Sequence, residues 1–314
     1  MRMTTAVLVG AMVATALAAG DAPVPATHHG LDGWWLRNAA AEAFVCAKPY
    51  PRIVAFRLKG GTSPLRVTDK DEYVGVRAWY MEPKQVRMSP LPAHQPAEAT
   101  LGSRSLTLVS APAQKCGLQL TTKVELDASR PVLTVRHGFK NLSPEARRIA
   151  AWAINAVPAT GVGLVPWATG KGTMRAFLAF PGTDPAEPCL HLGSRALGID
   201  FRVPPRKRWM KVGSNSDAGW AAFVWDSTAL VTSVPHVAGA TYPEGGGTAT
   251  FYHFQGNAKK RSYGEVENVG PLTDVKPGDT VWLHQTLELV GGVEFKGDSP
   301  DNWMAAIERA RARQ

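Results

Sequence analysis

The chain has 314 residues, 45% of them hydrophobic and 19% charged, with 30 Gly and 24 Pro. An apolar share near the globular average argues against disorder, and the Gly and Pro content favours many strands and turns over long helices, a coiled coil or a helical repeat. The net charge of +9 includes three basic clusters, Arg206-Lys207-Arg208, Lys259-Lys260-Arg261 and Arg309 to Arg313, which suit solvated surface or a polyanion.

Met1-Arg2, the apolar small-residue run Ala6 to Ala19 and Ala16-Leu17-Ala18 read as a Sec-type signal peptide over residues 1–19. The run is too short for a membrane span, and Pro23 and Pro25 follow it. The expected location is therefore periplasmic or secreted, where nucleic acid is seldom met and an anionic glycan is the better partner for the basic clusters. In an oxidising compartment Cys46, Cys116 and Cys189 permit one disulfide and leave one thiol over, with the pairing open. Their wide spacing suits no metal site, and no cofactor is implied.

Residues 20–32 read as a Pro- and His-containing linker, and 33–314 as a single domain. From Gly33 onward, period-two segments alternate with turn clusters, the pattern of an all-β sandwich. Gly33 to Asn38, Ala41 to Ala47 and Arg52 to Lys59 predict a meander closed by Gly60-Gly61. Ser103 to Ser110 and Gly117 to Asp127 predict a hairpin. In Pro131 to Asn141, Leu133, Val135, His137 and Phe139 share one face, and Thr134, Arg136 and Lys140 the other. Further strands are predicted at Arg147 to Val157, Met174 to Phe180, Ala196 to Val203, Gly219 to Trp225, Ala229 to Pro235, Thr248 to Gln255, Tyr263 to Val269 and Thr280 to Val290. Only Pro300 to Arg313 reads as a helix, capped by Ser299 or Asp301, with Trp303, Ile307 and Ala310 at helical spacing.

Several motifs fail on inspection. Gly170-Lys171-Gly172 lacks the earlier glycine and the hydroxyl of a phosphate loop. There is no G-x-S-x-G and no H-E-x-x-H. Asn141-Leu142-Ser143 matches a glycosylation sequon, but Pro144 follows. The stretch that remains is Tyr263-Gly264-Glu265-Val266-Glu267-Asn268-Val269. On a strand, Tyr263, Glu265 and Glu267 share a face, with the two carboxylates' Cα atoms about 6.5–7 Å apart. If that face lines a cleft, repulsion and partial burial raise one pKa and give a candidate acid or base; otherwise the pair is solvated or neutralised by Arg and Lys from neighbouring strands. Ten tryptophans, with pairs such as Arg77-Ala78-Trp79, supply the aromatic and polar mixture that suits sugars, although core packing explains most of them.

Five passages, in order, carry a resemblance. They are Gly33 to Gly61; Tyr73-Val74-Gly75-Val76-Arg77-Ala78-Trp79; Leu133 to Asn141 through Trp152 and Pro166-Trp167; Lys211 to Asn215 with Gly219-Trp220 and Tyr242-Pro243-Glu244-Gly245-Gly246; and Glu265 to Pro271 with Pro277-Gly278-Asp279. Together they resemble the galactose-mutarotase-like (aldose 1-epimerase-like) superfamily, in an exported bacterial branch. The resemblance implies a large antiparallel β-supersandwich with a short C-terminal helix and a carbohydrate pocket on one sheet. It also implies an isomerase in which a glutamate deprotonates the anomeric hydroxyl while a histidine protonates the ring oxygen. Glu267 matches that glutamate, with Glu265 as the second choice. The histidine's segment reads Ala151-Trp152-Ala153-Ile154-Asn155 here, which leaves His137 or His253 as substitutes. Arg77, Trp79, Trp152, Asn155, Lys211, Asn215 and His253 are the expected sugar contacts. The alternatives are a non-catalytic polysaccharide-binding module and an envelope interaction protein.

Overall fold

A computed structural model describes residues 22–67, 74–83, 85–86, 91–169, 177–180, 183–257, 261–295 and 297–314. The signal-peptide stretch, Tyr73, Gly170-Lys171-Gly172, Met174 and Lys259-Lys260 lie outside them. In chain order the first strands are β1 (Val24–His28), β2 (Leu31–Arg37), β3 (Ala41–Cys46), β4 (Arg52–Leu58), β5 (Val76–Glu82), β6 (Gln85–Val86), β7 (Ala97–Leu101) and β8 (Ser105–Ser110). Next come β9 (Leu118–Leu126), β10 (Val132–Asn141), β11 (Arg147–Pro158), β12 (Val162–Pro166), β13 (Phe177–Ala179), β14 (Leu190–Leu192), β15 (Ala196–Asp200) and β16 (Trp209–Ser214). The last are β17 (Trp220–Trp225), β18 (Thr228–Ser233), β19 (Ala249–Phe254), β20 (Tyr263–Val269), β21 (Thr273–Val275), β22 (Thr280–Gly291) and the helix α1 (Pro300–Arg311).

These strands form two antiparallel sheets. One runs β1-β2-β3-β4-β5-β11-β20-β19-β16-β13, with β6 beside β5 and β21 beside β11; the other runs β14-β15-β12-β17-β18-β22-β10-β9-β8-β7. Their inner faces close on a shared apolar core. Val212, Phe251 and Val266 of the first sheet pack with Leu197, Ala221 and Phe223 of the second, and Tyr80 meets Phe139 at 6.0 Å between ring centroids. The alternation read in β10 holds: Leu133, Val135, His137 and Phe139 are buried while Thr134 and Lys140 are exposed. α1 covers the outer face of the second sheet, where Trp303, Ile307 and Ala310 are buried with Ala222, Val224, Val231 and Val290. The whole is an all-β two-sheet sandwich with one short C-terminal helix.

Two expectations are corrected, and the cysteine question left open is answered. The stretch read as linker holds β1, which pairs with β2 from Val24↔Trp35 to His28↔Leu31. Pro25 disguises it, and is tolerated because β1 is an edge strand with one side free of ladder bonds. The three cysteines are free thiols, Cys46 and Cys189 buried and Cys116 half-buried. Burial pushes the Cys46 thiol up to about 11. Neither proposed side-chain cap serves α1. Ser299 is the N-cap residue but makes no side-chain bond there, while Asp301 accepts the Ser194 and Arg195 backbone N–H groups at 2.8 Å each and so pins the β14–β15 turn to the helix.

Candidate functional site

Register places the site before any side chain is considered. Residues directly opposed in an antiparallel ladder share a face. Arg77, Ile154, Glu267 and Thr250 form one such row across β5, β11, β20 and β19. Ala156, Glu265, Tyr252 and Lys211 form the next, ending on β16. Trp79 and Trp152 are opposed one step the other way. All point away from the second sheet, because the alternate residues Val266, Phe251 and Val212 lie in the inter-sheet core.

This outer face is nevertheless closed over, and its charges are matched. Arg77 Nη2 donates to Glu265 Oε1 at 2.5 Å, with the two side chains 1% and 8% exposed. Gly75 makes this possible: its φ of 60° is the left-handed conformation glycine adopts freely, and a Cβ there would stand 2.1 Å from the Ile53 carbonyl oxygen. Lys211 Nζ lies 3.2 Å from Glu267 Oε2 and 3.3 Å from Glu244 Oε2, and Thr250 Oγ1 donates to the same Glu267 oxygen. The Lys211 ammonium also sits 4.4 Å from the Trp152 ring centre and 4.8 Å from that of Phe180, so its charge is met by carboxylates and aromatic faces together. Trp152 meets Trp79 edge-on at 5.4 Å. Among the described residues the buried Trp152 Nε1 has no hydrogen-bond partner.

Titration follows from this arrangement. Burial is the largest influence on Glu265 and pushes it up to about 7. Arg77 opposes that, and the charge and hydrogen bond of Glu267 reinforce it. Burial raises Glu244 as well, against the pull of Lys211. Lys211 is raised: burial acts to lower it, but Glu267 and Glu244 outweigh that. Three carboxylates around two cations leave one negative charge in excess, and a proton held on Glu265 or Glu244 cancels it.

The sequence did not single out Glu244 or Thr250 as site residues. Glu244 arrives on a tight turn, with its own φ at 51°, Gly245 at 76° and Gly246 at 96°, and the N–H groups of Gly246 and Gly247 both reach the Pro243 carbonyl. Tyr242 anchors that turn, its hydroxyl accepting the Val237 N–H at 2.9 Å and its ring stacked on His236. The Pro-Glu-Gly-Gly sequence is the only local signal for it.

Of the expected residues, the fold brings Glu267, Glu265, Arg77, Trp79, Trp152 and Lys211 together. Asn215 is half-buried just past the end of β16. Asn155, His253 and His137 are elsewhere, which corrects their placement. Asn155 is one residue out of phase with Ile154, so it points into the inter-sheet core, where its Nδ2 donates to the Val266 carbonyl at 2.7 Å and its Oδ1 accepts from Gln285 Nε2 at 3.3 Å. His253, out of phase with Tyr252, packs edge-on against Phe201. His137 belongs to the other sheet, with Nδ1 3.2 Å from Thr122 Oγ1; burial and the Arg52 charge hold it down to about 3. None of the three faces the carboxylates. Among the described residues no group of three or more His, Cys, Asp or Glu is arranged to hold a metal ion, and no helix is long and apolar enough to cross a membrane.

No family model and no curated protein sequence matches the chain. Solved structures do. An aldose 1-epimerase candidate from Escherichia coli K12 superposes with a TM-score of 0.53 at 13% identity, over 82% of this chain and 98% of that one. A galactose mutarotase-like protein from Lactobacillus casei ATCC 334 gives 0.54 at 11% identity, over 81% and 99%. A TPR-domain containing protein from Parabacteroides distasonis ATCC 8503 gives 0.57 at 14% identity, over 85% of this chain and 49% of that one. At such identities the likeness concerns the backbone, and what it establishes is that this chain has the galactose-mutarotase-like fold.

Proposed function

We propose that the protein binds a sugar against the outer face of the first sheet, beside the Trp79–Trp152 pair and the Lys211–Glu244–Glu267 cluster packed on it. In this reading it also interconverts the sugar's anomers. The observation that carries the proposal is the buried acid–base cluster itself: Glu265 and Glu267 side by side, with Glu244 across Lys211. Clusters whose pKa values are pushed apart are where a fold runs acid and base chemistry near neutrality. Glu267 takes the anomeric hydroxyl proton, and Glu244, raised by burial, gives one to the ring oxygen as the ring opens. Reversal of both transfers closes the ring on either face. The unpartnered Trp152 Nε1 is the donor for a sugar hydroxyl. The leader-like residues 1–19 put this activity outside the cytoplasm.

The test is calorimetry and polarimetry with galactose and glucose, beside Glu267→Gln. General-base loss lowers the anomerisation rate by about 10²–10⁴-fold while sugar binding persists. Binding without any acceleration by the native protein supports the second reading, a binding module. That reading is favoured by one observation: Glu267 Oε2 is already occupied by both Lys211 and Thr250. Absence of binding to either sugar removes both readings.

A further inference from the structure

The outer face does not end at the Glu265–Lys211 row. Two residues further along the same strands, Trp209, Phe254 and Tyr263 are directly opposed across β16, β19 and β20, about 6.5–7 Å from that row. With Tyr252 they make an aromatic strip. Trp209 lies nearly parallel to Tyr252, 25° between planes and 6.2 Å between centroids. Tyr263 sits 6.0 Å from Tyr252 and 5.4 Å from Phe254. Trp209 is 40% exposed, so the indole keeps an open face at the end of this strip, beside the polar cluster.

The edge of the strip is basic. The Arg208 guanidinium lies 5.1 Å from the Phe254 ring centre and that of Arg66 lies 4.7 Å from Tyr263. Arg206, in the same run, is taken up by Asp184 and by Glu187, which accepts its backbone N–H. Arg208 forms no ion pair among the described residues. Arg261 is exposed two residues before Tyr263. Arg208 and Arg261, from two of the basic clusters in the sequence, therefore lie at this end of the face, and neither has a role in the carboxylate cluster. That cluster, with its charges matched, offers an anion no net attraction, whereas the strip attracts one.

We propose that the strip is a second subsite, floored by Trp209 and Tyr252 and edged by Arg208, for a negatively charged sugar unit. The protein's ligand is then an acidic oligosaccharide, with a neutral or reducing-end unit over the carboxylate cluster and a charged unit over Trp209. This rests on the sugar-binding reading above and names its substrate class.

The test is calorimetric binding of galactose, lactose, galacturonate and α-1,4-digalacturonate to the native protein, Trp209→Ala, Trp209→Phe and Arg208→Gln, each checked for an unchanged melting temperature. Digalacturonate binds about tenfold more tightly than galacturonate or lactose, a difference of about 1.4 kcal/mol. Trp209→Ala erases the preference and leaves galactose binding intact, and Trp209→Phe retains most of the preference. Arg208→Gln and added salt reduce the digalacturonate advantage over lactose. Equal affinity for digalacturonate and galacturonate, equal affinity for lactose and digalacturonate, or indifference to Trp209→Ala overturns the subsite while the sugar-binding reading stands. Failure of all four sugars to bind overturns both.

Discussion

Strands β11 and β20 carry two polar clusters, one on each face, and the two are built on opposite principles. On the outer face Arg77, Glu265, Glu267 and Lys211 are charged and paired. On the inner face Asn155 and Asn268 both accept from Gln285 of the facing sheet, and His137, held neutral, lies in the same layer. Both are buried. The inner cluster is an uncharged tie between two sheets, where amides bond to one another without the desolvation cost of an ion. The outer cluster bears that cost, because removing ions from water is repaid only by close pairing. Such expense is hard to explain as sheet stabilisation, and a face that holds a proton among paired charges is suited to chemistry.

Breaking the outer cluster at Arg77 gives the largest effect. Arg77→Ala leaves Glu265 buried without its cation and lowers stability by about 3–5 kcal/mol, read from urea unfolding at pH 8. At pH 5 the loss shrinks, because Glu265 is then protonated.

The next effect separates the clusters by pH. His137 is lowered to about 3 and His253 to about 4, both chiefly by burial. Each therefore adds stability that is present above the unfolded value of about 6.5 and is lost as pH falls, at about 1.4 kcal/mol per unit. At pH 4.5 His137→Gln recovers about 3 kcal/mol of this loss relative to the native chain. Glu265, raised to about 7, has the opposite slope: its contribution is complete below the unfolded carboxyl value and is lost as pH rises to 7. It offsets one histidine between about pH 4.5 and 6.5, so Glu265→Gln steepens the acid loss of stability in that window. A slope unchanged by Glu265→Gln would refute the raised carboxyl.

Smaller still is Asn155→Ala, which removes its bonds to the Val266 carbonyl and to Gln285, leaves Gln285 tied only to Asn268 and costs about 1–3 kcal/mol, with no change in sugar affinity. The smallest is Glu244→Gln. Its side chain is 16% exposed and its turn is held by backbone bonds, so stability changes by about 0.5 kcal/mol or less, while the pH profile of sugar turnover loses its alkaline limb, the one set by deprotonation of the general acid.

The same two faces explain what could be read in the sequence. Period-two alternation placed Glu265 and Glu267 on one face and ordered β10 correctly, since parity within a strand is a local property. Parity also separates Trp152 from Asn155 and Lys211 from Met210, and ignoring it put Asn155 at the site. What no local pattern contained was sheet order. Lys211, Thr250 and Arg77 reach the glutamates because β16, β19, β20, β11 and β5 are neighbours, a long-range fact set by the packing of the whole core. Glu244 comes from a turn between strands, where periodicity is silent.

Asn141 bears on how the protein can be made. Its side chain is fully buried, its Nδ2 donating to the Glu145 and Val275 carbonyls at 2.7 and 3.0 Å. A host that attaches glycans to nascent chains at Asn141-Leu142-Ser143 would place a bulky polar group on an amide the fold needs at the end of β10. Pro144 works against that attachment, and any chain that is glycosylated nonetheless in a eukaryotic secretory route does not fold; Ser143→Ala removes that fraction.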